Sequence, residues 1–211
     1  NEMDGIQILG SAEFTHHIYV GRNIAHHNKQ TGFWTKTAAD VIFSENIAYG
    51  HRASSSDPFG AGLGLQYDPK RVWFLFNHVY DNSGGIACAS SDAGGGEEFY
   101  FIGNIIHNIT NRGIHFYGNE GEIYAVGNTI YDAGEGIRGS SGPCLYAFNN
   151  IIANLKSSDS VHLNVMNTAF AAASNASYNL FYQESGRVRI NWGDNTNYNV
   201  SQFKSAYPNK S

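Results

Sequence analysis

The chain predicts an all-β solenoid, a parallel β-helix, and three observations carry that expectation. One asparagine column recurs at Asn23, Asn46, Asn77, Asn104, Asn128, Asn150 and Asn179, with separations of 22 to 31 residues. Short runs flank each asparagine, and in them apolar residues alternate with polar or aromatic ones, the period of a half-buried strand. Nearly every repeat restarts at glycine, most clearly across 98–152, where Gly113-Ile114 and Gly136-Ile137 open parallel phrases. A repeat of that length with variable insertions buries its apolar side only against its neighbours. Before the last dozen residues no stretch of ten carries a clean helical stripe, and the leucine spacing of leucine-rich repeats is missing. Identical amides stacked at about 4.8 Å hydrogen-bond along the stack and tolerate the bent backbone of a coil corner.

The phrases GNIIHN…GI, GNTIYD…GI and NNIIAN resemble the right-handed parallel β-helix repeats of the pectate-lyase-like superfamily, over roughly Ile6 to Trp192. The resemblance implies a right-handed parallel β-helix of about seven to eight coils in residues 1–192, with 193–211 as a capping segment. Because Ile6 already falls inside a coil, the chain reads as lacking N-terminal coils or a cap. That superfamily holds polysaccharide lyases, polysaccharide hydrolases, uronate epimerases and phage tailspikes. It therefore implies carbohydrate chemistry without choosing a reaction.

Composition narrows the classes. A chain of 211 residues, 42% hydrophobic and 15% charged, fits one folded domain with a core. A formal charge of −5 and a pI near 6.0 do not support a nucleic-acid groove. No apolar run reaches membrane-spanning length. Heavy use of Asn, Gly and Ser with little Lys suits an extracellular or cell-surface β protein. Cys88 and Cys144 fall two coils apart, about 9–10 Å, which predicts two thiols and no bridge.

Aligning the strands on their glycines predicts the inward positions Ile6, Phe33, Leu63, Ile86, Ile114, Ile137, Val161 and Val188. The first outward column is then Gln7, Trp34, Gly64, Ala87, His115, Arg138, His162 and Arg189. The second contains Lys36, Gln66, Ala89, Tyr117, Ser140, Asn164 and Asn191. A row of histidines and arginines at coil spacing suits an anionic ligand, an acidic polysaccharide. β-Elimination of a uronate needs a base, a cation for the carboxylate and an acid for the leaving oxygen. His115, Tyr117, Arg138 and His162 can supply these catalytic groups, with Trp34, Lys36, Gln66, Asn164 and Arg189 binding the chain.

A second constellation is acidic. Asp68 and Asp92, with Asp57, Glu97 and Glu98 in nearby loops, would bind Ca2+ or serve as the carboxylate pair of a polysaccharide hydrolase. The histidines at 26, 27, 51, 78 and 107 show no metal spacing and read as corner residues. Before the asparagines lies an outward aromatic column, Tyr19, Ile42, Trp73, Tyr100, Tyr124 and Tyr146, read as a self-packed ladder. That stripe and an open first coil also allow a non-catalytic surface, adhesive or fibre-forming module that self-associates.

Overall fold

The computed structural model describes residues 3–11, 13, 15–55, 59–89, 97–117, 121–194 and 196–210. The chain winds as a parallel β-helix of about seven turns. Sheet 1 comprises Ile6–Leu9, Phe33–Lys36, Ala61–Gln66, Gly84–Ala89, the second halves of Ile105–Phe116 and Thr129–Gly139, then Leu163–Val165 and Ile190–Trp192. Sheet 2 is six-stranded: His16–Gly21, Ala39–Ser44, Lys70–Leu75, Phe99–Ile102, Ile123–Val126 and Leu145–Phe148. Sheet 3 takes Ile24–His26, Ile47–Tyr49, His78–Asn82, the first halves of the two long strands, Ile151–Ala153 and Leu180–Tyr182. Two short helices interrupt and end the last turns: α1 (Thr168–Ala173) lies between Leu163–Val165 and Leu180–Tyr182, and α2 (Val200–Ala206) follows the final strands. On α2, Phe203 is 2% exposed and packs edge-on against Trp192 at 5.4 Å, which covers the end of the last coil. None of the helices among the described residues is long and apolar enough to cross a membrane.

Alternation places the core where the pattern predicts it. Val41, Phe43, Val72, Phe74, Phe99, Phe101, Ile123 and Leu145 of sheet 2 point inward and are fully buried. Phe43, Phe74 and Phe101 stack at 5.2 and 5.6 Å, one ring per turn. Cys88 is buried inward, Cys144 is buried at a strand start, and neither is in a disulfide.

The asparagine column forms the corner between sheets 2 and 3. Every residue before a ladder asparagine, from Arg22 through Glu45, Phe76, Gly103, Gly127 and Asn149 to Tyr178, has φ between 54° and 66°. That left-handed kink turns the chain and aims the next side chain inward. Asn104 shows the pattern. Its Oδ1 accepts from the Asn77 backbone N–H and Nδ2, both at 3.0 Å, while its Nδ2 donates to the Phe74 carbonyl and to Asn128 Oδ1 at 2.9 Å. All four capacities of the amide are used, at zero exposure. Five residues on from the first three ladder asparagines lies a shorter version, Asn28, His51 and Asn82, in which His51 Nδ1 takes the Asn28 N–H and the His51 N–H goes to Asn82 Oδ1.

Glycine recurs for a steric reason. A Cβ on Gly85 would sit 2.1 Å from the Gly113 carbonyl oxygen, and one on Gly136 would sit 2.2 Å from that of His162. Backbone cannot retreat from such a contact without breaking the ladder above it. Gly136→Ala is therefore expected to cost about 1–3 kcal/mol through overpacking, measured as a lower urea midpoint at unchanged m-value.

That column also corrects the predicted register. Ile137 pairs with Leu163 and Leu163 with Ile190, so Leu163 and Ile190 take the register position expected for Val161 and Val188, and Val188 still packs against the core on the same face. His162 and Arg189 occupy the glycine column, and the outward row continues from Arg138 to Asn164 and Asn191. A slip of two residues keeps the same faces, so alternation in VHLNV or VRINW cannot distinguish the registers.

Candidate functional site

The outward face of sheet 1 gathers the polar residues of interest. His115 follows Ala87 in register, Arg138 follows His115, and Asn164 and Asn191 complete the row. Adjacent members are one coil apart, about 4.8 Å. Three residues upstream of His115 and Arg138, Arg112 and Glu135 face each other in register. Glu135 joins the group. One carboxylate oxygen accepts from Arg112 Nε at 3.1 Å and Arg138 Nη1 at 3.2 Å, and the other takes the Asn164 amide. Neither Arg112 nor Glu135 was among the predicted site residues. Reading the glycine alignment one column further, RGIH over EGIR, shows the pair.

The row holds both donors and acceptors in reserve. His115 Nε2, Arg138 Nε, Asn164 Oδ1 and Asn191 Oδ1 are all buried and have no hydrogen-bond partner among the described residues. Leaving buried polar atoms unmade costs on the order of 1–3 kcal/mol each, so such a concentration indicates a site built for something else to complete. Tyr117 stands at the edge, half exposed, its ring edge-on to His115 at 5.6 Å. Phe59 covers the other side of the imidazole at 6.2 Å.

Electrostatics set the state of His115. Burial, then Arg112 and Arg138, push its pKa down to about 3. It is neutral near pH 7, and a bound anion would offset only the two arginines' part of this lowering. Burial also lowers His51 and His162. A histidine whose folded pKa lies below its unfolded value stabilises the fold above about pH 6.5 and loses that contribution as pH falls. His115 alone is expected to remove about 2 kcal/mol between pH 7 and pH 5, with His51 and His162 adding in the same direction. Urea unfolding at the two pH values checks this; a midpoint independent of pH would refute it.

Other predicted residues stand elsewhere. His162 is a corner core residue, 1% exposed; its Nδ1 accepts the Arg189 N–H, its Nε2 meets the Tyr182 carbonyl at 3.2 Å, and Phe181 packs against it. Arg189 is one column away from the row and pairs with Asp159. Trp34 does hold its outward position, but its ring lies over Gly64 among Ala61, Ala87 and Phe59 and is 5% exposed, so no open indole face is offered. Lys36 pairs in register with Gln66, and its ammonium lies 5.7 Å from the Tyr67 ring centre. Both are half-buried beyond the row.

For calcium, Asp68 has one buried carboxylate oxygen without a partner among the described residues, while Asp92 and Asp57 lie outside them. Glu97 is committed to Lys70 at 2.8 Å and Arg71 at 2.7 Å, and Glu98 accepts from Tyr100. Among the described residues no three His, Cys, Asp or Glu converge on a cation position.

Two aromatic ladders run outside. The predicted one on sheet 2 stacks Trp73, Tyr100, Tyr124 and Tyr146 at 4.8–5.4 Å. A second on sheet 3 stacks His26, Tyr49, Tyr80, His107 and Tyr131 at 4.7–5.3 Å. His26 and His107 are thus ladder members, and each ladder residue lies three positions after a column asparagine.

No curated protein and no solved structure matches the chain. Residues 1–152 match the family model described as right handed beta helix region, and the chain belongs to that family.

Proposed function

We propose that this β-helix protein binds an acidic polysaccharide outside the cell, along the outward face of sheet 1, and cleaves it by β-elimination. The observation that supports the reading is the row His115, Arg138, Asn164 and Asn191, where unpartnered donors and acceptors stand together beside two arginines. A uronate brings an acceptor for Arg138 Nε, which Glu135 leaves unmet, and hydroxyls for the amide oxygens.

In this mechanism the carboxylate competes with Glu135 for Arg112 and Arg138 and offsets the arginines' share in the lowering of the His115 pKa, of which burial is the larger cause. The imidazole then takes the C5 proton, the C5–H electrons form the C4=C5 double bond, and the C4–O bond breaks. Tyr117 protonates the departing oxygen. A second reading, binding without cleavage, draws on the strongly lowered basicity of His115 in the ligand-free protein.

One assay separates them. Pectate, alginate, hyaluronan and chondroitin are incubated with the protein, with and without calcium, while ultraviolet absorbance follows new C4=C5 bonds and reducing ends are measured in parallel. Absorbance rising on one polymer supports elimination. Reducing ends without absorbance replace it with hydrolysis. Silence in both, with retention on a column of one polymer, leaves the binding reading; silence with no retention removes both.

A further inference from the structure

Sheet 2 carries a gap in its aromatic ladder, and we propose that the gap is a binding site for one neutral pyranose ring of an oligosaccharide. From Trp73 onward each ring is covered by the next, but toward the first coils the column continues through Ile42 to Tyr19. Isoleucine is smaller than an indole and covers only part of it, so Trp73 also lines an open cavity on the side turned away from Tyr100. Tyr19, in turn, does not stack over Ile42. Its ring lies along its own strand above Gly21, where a Cβ would meet the hydroxyl at 2.2 Å. The result is a cavity of about 410 Å³ lined by His17, Ile18, Tyr19, Asp40, Ile42 and Trp73.

The dimensions and chemistry of this slot select the ligand. Tyr19 and Trp73 are two coils apart, about 9.6 Å, with Ile42 on the rung between them, so an inserted ring lies over the outer part of the indole beyond the short Ile42 side chain. A saturated sugar ring presents polarised C–H groups to the negative face of an indole while keeping hydroxyls at its edge. Asp40 and His17 lie at that edge. The rim asks for no net charge, because Arg71 holds the Asp40 carboxylate at 2.6 and 2.9 Å and Glu97 bridges Arg71 and Lys70. Two cations and two anions balance, in contrast to the arginine-rich row on sheet 1. An aromatic side chain from another protein would also cover the indole but would bring at most one hydroxyl, where a sugar ring brings several.

Tryptophan emission reads this site directly. Of the three tryptophans, Trp34 and Trp192 are 5% and 2% exposed, so only Trp73 is accessible to a ligand. The full chain is titrated with cellotetraose, mannotetraose and galactotetraose, and with N-acetyltyrosinamide as the aromatic comparison. A saturable emission change with one of the sugars is expected. It should be lost in Ile42→Tyr, which fills the missing rung, and in Gly21→Ala, which pushes Tyr19 out of place. It should persist in Arg138→Ala, which separates this site from the one on sheet 1. No response to any sugar, a response unchanged in Ile42→Tyr, or a response to N-acetyltyrosinamide alone would overturn the proposal. Because Ile42→Tyr extends a stack already present, its thermal midpoint should match or exceed that of the parent, which shows that loss of the signal is not loss of the fold.

Discussion

Asn104→Ala is expected to lower the unfolding free energy by about 3–5 kcal/mol, one of the largest single-residue effects in the molecule. The substitution removes an acceptor that serves two buried donors, the Asn77 N–H and Nδ2, and a donor that serves the Phe74 carbonyl. Those groups are sealed between turns, where water cannot replace the lost amide. Asn23→Ala should cost far less, about 1 kcal/mol, because Asn23 stands at the end of the ladder with its Nδ2 on the Gly21 carbonyl and Asn46 Oδ1. Urea unfolding of both variants tests the ladder, and equal effects would mean that the column is only a corner-forming preference.

Asn104→Asp sharpens the point. An aspartate keeps both acceptor bonds but faces the Phe74 carbonyl and Asn128 Oδ1 with no proton to give. Its folded pKa is therefore raised, so the variant is most stable at low pH and loses stability as pH rises through that value. This is opposite in sign to the parent, whose buried neutral histidines make it weaken as pH falls.

The corner was legible because it demands one residue type: only asparagine accepts twice and donates twice at that length while following a left-handed kink. The first outward row was legible as far as Arg138, because Gly113-Ile114 and Gly136-Ile137 fix the register sterically. Beyond it no glycine marks the column, and Val161, Leu163 and Val165 offer two registers with identical alternation. Choosing the earlier one placed His162 and Arg189 where Asn164 and Asn191 stand. The exposure of Trp34 was not legible either, since it depends on its ring folding over Gly64 on the next coil. Glu135 was missed for a different reason. A lone carboxylate among turn residues carries no local signal, and its meaning comes from Arg112 on the neighbouring turn.

Glu135 is the residue on which the site on sheet 1 turns. It occupies the position between Arg112 and Arg138 that a ligand carboxylate would claim, at 3.1 and 3.2 Å. Arg138→Ala is therefore expected to weaken binding of an acidic oligosaccharide by about 100-fold, since a guanidinium–carboxylate contact in a half-buried setting contributes roughly 2–5 kcal/mol to such differences. Glu135→Gln should act in the opposite direction. It keeps an oxygen for one arginine but removes a negative charge about one coil from the ligand, and tightening of about tenfold follows for an effective dielectric near 20 after screening. Turnover should not follow affinity. With Glu135 neutral, the two arginines hold the His115 pKa lower still, so elimination slows while KM falls. Titration calorimetry at low and at physiological salt, beside rates from ultraviolet absorbance, checks both halves. If Glu135→Gln weakens binding, the carboxylate is a ligand contact or a brace for the arginines and not a competitor. If Arg138→Ala changes nothing, the acidic chain does not bind along this row.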